Sequence, residues 1–204
     1  MVQHELLMVV AAPLIVAGRP LVAFLRTLPR EQRLVVGQYA RRASIRSPWA
    51  WISQPFVAWL IHAIAIWGWH APRMFDGALE NDVVHAFEHA VFLGTALLFW
   101  SSIIHPARRS ERGVVVISLF TTALHTSLLG ALMTFARAPW YSYTAADGLS
   151  ALDDQHLAGM IMWIPAGLAY LIAALLVMRR WLAESDLGPS YQQSELALGA
   201  TRPS

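Results

Sequence analysis

The 204-residue sequence has no cysteine, which excludes both a disulfide framework and a thiolate metal site, so any soft-metal site must use methionine or histidine. Lysine is also missing, and all 15 basic residues are arginine. Charge is scarce: 14% of residues are charged and 56% hydrophobic, with a mean hydropathy of +0.46, a balance that excludes an ordinary soluble domain and argues against nucleic acid as a partner. There is no repeat of fixed period. No basic segment precedes the first apolar run, as it would in a cleavable signal peptide.

What is present is a series of apolar runs of about 20 residues each, the length a membrane span requires. They predict an all-α, polytopic transmembrane helix bundle over residues 1–182, with five spans at about 6–25, 52–69, 83–104, 114–136 and 157–178. The remainder, 183–204, is rich in Ser, Pro, Gly and Gln and is expected to be a disordered cytoplasmic tail. Arg19-Pro20 interrupts the first run. Either Arg19 snorkels and the helix continues through Leu25, or the natural helix starts upstream of Met1.

Arginine alternates from loop to loop. Six (Arg26, Arg30, Arg33, Arg41, Arg42, Arg46) follow the first span in a basic loop with room for a short interfacial helix. Arg73 follows the second, Arg108, Arg109 and Arg112 the third, Arg137 the fourth, and Arg179 and Arg180 the fifth. The positive-inside rule then puts the first and third of these loops and the tail in the cytoplasm. The N-terminus and the loops after the second and fourth spans lie outside. Trp49, Trp51, Trp67 and Trp69 read as interfacial anchors at the ends of the second span.

That topology gathers residues scattered over 150 positions. His4, His70, His85, His89 and His156 all fall at outer helix ends. His62 is expected roughly 12 Å and His125 roughly 16 Å below the outer ends of their helices. His105 alone falls at the cytoplasmic end. One histidine at a helix end is commonly an interfacial or hydrogen-bonded packing residue, but seven of eight on the outer half point to a shared metal site. Imidazole suits copper, zinc and iron, and thioether sulfur favours Cu(I). Met8, Met74, Met133, Met160 and Met162 lie in the same half, with Met160 one turn below His156.

His85-x-x-Glu88-His89 also matches the inverted zincin spacing, in which two His bind zinc and Glu is a general base. The motif supplies no third ligand, for which Asp153, Asp154 or His156 are the expected sources. Glu88 can equally relay a proton, or pair with Arg73 or a neighbouring His. Asp153-Asp154-Gln155-His156 is placed to cap the last span, and Pro165 to kink it.

Met1-Val2-Gln3-His4, Trp69-His70-Ala71-Pro72, Glu88-His89 with Phe92-Leu93 and Leu98-Phe99-Trp100, Asp154-Gln155-His156-Leu157-Ala158-Gly159, and Met162-Trp163-Ile164-Pro165 together resemble the CtaG-type assembly factors of caa-type cytochrome c oxidase. The resemblance implies a multi-pass protein of the bacterial cell (inner) membrane, with one or more further spans ahead of the Met-x-Gln-His motif. It implies a non-enzymatic part in oxidase biogenesis through supply or insertion of copper, with oxidase subunits or other copper-delivery proteins as partners. His4, His70, His85, His89, His156 and Asp154 become the candidate metal ligands, supported by Glu88, Gln155, His62, His125 and Met160. Two alternatives stand beside this reading. One is heme held by two of His62, His89 and His125. The other is a metal-free scaffold packing oxidase subunits at Gly94, Gly130 and Gly159.

Overall fold

The structure, a computed structural model, describes residues 1–106, 112–142 and 148–200, with side chains through residue 183. Among the described residues all regular structure is helical. Four helical stretches are long and apolar enough to cross a membrane, five if one bent pair counts as a single span, as expected of a multi-pass membrane protein.

The first span, Val2–Thr27, is helical on both sides of Arg19. It comprises α1 (Val2–Glu5), a π-helical stretch (Leu6–Ala11), α2 (Ala12–Gly18) and α3 (Pro20–Thr27). The π-helical stretch has a sequence cause. In its i to i+5 register the carbonyl of Met8 would be bonded by the N–H of residue 13, which is proline. The indole of Trp100 donates to that carbonyl instead, at 2.8 Å. The Met8 carbonyl is then not left bare in the apolar core. Arg19, between Gly18 and Pro20, has φ 46° and ψ 50°, the one positive-φ non-glycine among the described residues.

The basic segment forms α4 (Arg30–Ala40) and α5 (Ala43–Ile52). Gln54-Pro55 then forces an extended residue ahead of a new helix start. The second span, expected over 52–69, is therefore α6 (Pro55–Trp69), bent 71° from α5. The following loop contains α7 (Pro72–Glu80), an amphipathic helix too short and too polar to stand out as an apolar run.

The third and fourth spans are α8 (Asp82–Ile104) and α9 (Arg112–Thr134), and the last begins at Ala151, earlier than expected, as α10 (Ala151–Ile161). Pro165 lies in a second π-helical stretch, Met162–Ala166, which leads into α11 (Gly167–Ala200). The loop at 107–111, with Arg108 and Arg109, residues 143–147 and 201–204, and the side chains from 184 onward fall outside the described residues, while the backbone of the expected tail is helical to Ala200.

α9 packs against α10 and α11, α6 against α8, and α2 against α8. Close approach of α9 to α10 depends on two glycines. A methyl on Gly130 would meet the Gly159 carbonyl at 2.8 Å, and one on Gly159 would meet Thr134 Oγ1 at 2.5 Å. Gly94 differs from the expectation of a helix contact, because a Cβ there would meet nothing within 4 Å. The first span and α8 run side by side in the same direction, with His4 beside Glu88 at one end and Arg19 beside His105 at the other.

Candidate metal centre

α8 carries His85, Glu88 and His89 on one face, as their three- and four-residue spacing requires. α1 brings His4 against that face. One ligand atom from each of His4, His85, Glu88 and His89 lies within 4.8 Å of the others. His4 Nε2 is 3.6 Å from Glu88 Oε2, and the Nε2 atoms of His85 and His89 are 3.1 Å apart, so one ring donates to the other. The His4 and His89 rings meet edge to face at 4.7 Å. His4 and Glu88 are buried, and His4 Nδ1 has no hydrogen-bond partner. The group that joins His85, Glu88 and His89 is therefore the His4 imidazole, not Asp153, Asp154 or His156 as expected, and Glu88 faces His4.

His70 lies beside this group. Its ring and that of His4 both pack on Phe92, at 6.2 and 4.8 Å. Nδ1–H of His70 donates to the Ile66 carbonyl at 2.7 Å, which leaves the lone pair on a buried, unpartnered Nε2. This is how a metal-binding imidazole is usually held. Burial lowers the His70 imidazole from its ordinary value to about 4, opposed in part by that same hydrogen bond.

The segment after α9 covers this end of the bundle, an arrangement with no simple periodic signal. Gln155 is buried and holds it down, accepting from Trp140 N at 2.6 Å and donating to the Met133 carbonyl at 3.2 Å. Tyr141 stacks on Phe75 of α7 at 4.0 Å and donates to the His70 carbonyl at 3.1 Å. Asp76 of α7 accepts from Ser142 N at 3.1 Å. Burial, and then the carboxylates of Asp76 and Glu88, push the Tyr141 phenol above its ordinary value.

The remaining expected site residues lie elsewhere. His156 Nε2 is committed to the Ala136 carbonyl at 3.0 Å, so its proton joins α10 to the end of α9. Asp153 and Asp154 fall in the first turn of α10, where Ser150 is the cap and Asp153 N donates to its hydroxyl. Met160 is 40% exposed on the outer surface of its helix, while Met8, Met133 and Met162 are buried in apolar packing.

His62 on α6 and His125 on α9 stand apart from the cluster. Thr95 donates its hydroxyl to the Phe92 carbonyl, so it accepts from His62 Nδ1–H at 3.0 Å and leaves His62 Nε2 bare. Trp67 donates to His125 Nδ1 at 3.3 Å, so the neutral His125 ring carries its proton on Nε2. His62 also lies flat on Phe99 at 5.2 Å.

Fold and site define a multi-pass helical membrane protein with three imidazoles and a carboxylate converging at one end. The sequence model of the cytochrome c oxidase caa3 assembly factors (Caa3_CtaG) matches residues 1–184, and the chain belongs to this family. No curated protein and no solved structure matches it.

Proposed function

We propose that this assembly factor handles copper for the oxidase at the His4, His85, Glu88 and His89 cluster, with His70 as an added imidazole, and that it catalyses no reaction. The observation that supports this best is the convergence of four ligand groups from two helices that are 80 residues apart in sequence. An apolar helix pair has no packing use for four such groups, and burying His4 and Glu88 among them is unfavourable unless they are paired or functional. The donor set fits the metal: imidazole suits copper and zinc, and the bare Nε2 of His70 offers a lone pair with no other use. Copper is here cargo and not a resident cofactor.

By the positive-inside rule the cluster faces the extracytoplasmic side of the bacterial cell membrane, with the C-terminus in the cytoplasm. Oxidase subunits or other copper-delivery proteins are the partners this placement suits. The test is metal analysis of the purified protein under reducing and oxidising conditions, with an absorption spectrum on the same sample. About one equivalent of copper is expected. Well under one equivalent in both states overturns the reading, and a Soret band favours heme bound by two of His62, His89 and His125.

A further inference from the structure

Toward the other end of the two helices that build the imidazole cluster, a crevice of about 980 Å³ opens between α2, α3, α5, α6 and α8. Its size is at the upper end of the roughly 300–1,000 Å³ of small-molecule sites. Ile15, Val16, Val91, Leu97 and Leu98 line it, and Gly94 leaves its floor open.

The few polar groups inside it are already engaged. Thr95 is bonded to Phe92 and His62, and Ser101 donates to the Leu98 carbonyl at 2.7 Å. A ligand would find apolar wall along its length and polar partners only at one end. At that end stands Arg19. Its Nε donates to His105 Nε2 at 2.7 Å, which orients the guanidinium and leaves its terminal N–H groups for something else. The backbone of Arg19 is left-handed, a conformation unfavourable for a residue with a Cβ, and such positions concentrate where a ligand is held.

The surroundings are strongly positive. Between residues 19 and 49 there are seven arginines and one glutamate, and Arg26, Arg33 and Arg41 line a neighbouring crevice against α3. An apolar body with one anionic end is the chemistry these features complement.

We propose that this crevice is a binding site for an anionic phospholipid, with an acyl chain along the α8 floor and the phosphate on the Arg19 guanidinium. The site is independent of copper handling, although the same two helices carry the imidazole cluster at their other end.

The test reconstitutes the full chain in nanodiscs containing equal phosphatidylglycerol and phosphatidylcholine, then counts retained lipids by native mass spectrometry. The wild type should retain phosphatidylglycerol over phosphatidylcholine by about five-fold, the order of effect of one well-placed arginine. Arg19→Gln should bring that ratio close to one. Arg19→Gly, which relaxes the backbone at this position, should do the same while the protein remains monodisperse. Gly94→Leu should reduce retention of both lipids by filling the floor. Equal retention of the two lipids by the wild type overturns the proposal, as does a five-fold preference that survives in both Arg19 variants.

Discussion

The first span and α8 meet at both of their ends, and the two meetings differ in kind. At one end His4 joins His85, Glu88 and His89 within 4.8 Å, a set of acceptors and lone pairs around a carboxylate. At the other end Arg19 and His105 form a donor-rich pair at 2.7 Å over an apolar crevice. Both ends contain imidazole, so imidazole alone does not determine the chemistry. The neighbours do: a carboxylate and further rings attract a cation, while a guanidinium attracts an anion. Between the two ends the helices are joined by the Trp100 bond to the Met8 carbonyl.

The largest effect should come from removing the two α8 imidazoles together. His85→Ala with His89→Ala should weaken copper binding by more than the roughly 10–100-fold that outer-shell changes typically cost, and should abolish oxidase activity in cells. Equilibrium dialysis against a copper competitor measures the first, and oxygen consumption the second. Arg19→Gln, at the opposite end, should leave copper binding unchanged. Parallel loss of copper in that variant would mean that the ends are not separate.

Glu88→Gln sharpens the same contrast, because it keeps the shape of the side chain and removes the charge facing His4. Copper affinity should fall by about 10–100-fold, less than in the double variant. An unchanged affinity would leave the imidazoles as the entire site.

Next comes the helix contact on which the metal-free scaffold reading depends. Gly159→Leu forces α9 and α10 apart and should cost about 1–3 kcal/mol, read as a fall in thermal midpoint in detergent. If oxidase activity tracks this midpoint and ignores the histidines, the scaffold reading gains. Trp100→Phe should cost about 1 kcal/mol by leaving the Met8 carbonyl without its donor. Both variants should affect the two ends alike.

The bundle and the gathering of His4, His85 and His89 were legible because hydrophobic run length and arginine alternation set topology, and topology alone brings distant helix ends to one level. The rotation of each helix about its axis was not legible. That is why Asp154 and His156 are not among the four clustered residues, while Gln155 between them turns inward to hold Trp140. Nor did periodicity reveal α7 and Tyr141, whose cover over His70 depends on a stacking contact between two loop segments. The π-helical stretch at Leu6–Ala11 had a visible cause in Pro13, but its partner Trp100 is 92 residues away.

His156 offers the smallest effect and the clearest separation of depth from direction. The sequence puts it at the same end as the cluster, yet its Nε2–H bonds the carbonyl of Ala136, just past the end of α9. Removing the ring should therefore act through α9 and α10 and not through copper. His156→Ala is expected to lower stability by about 0.5–1.5 kcal/mol, the net worth of an ordinary hydrogen bond, with copper affinity within about two-fold of wild type. His156→Gln keeps a donor at nearly the same reach and should recover most of the stability. If His156→Ala instead lost copper while keeping its thermal midpoint, the ring would have to turn toward the cluster when metal arrives, and the boundary drawn around His4, His85, Glu88 and His89 would be too narrow.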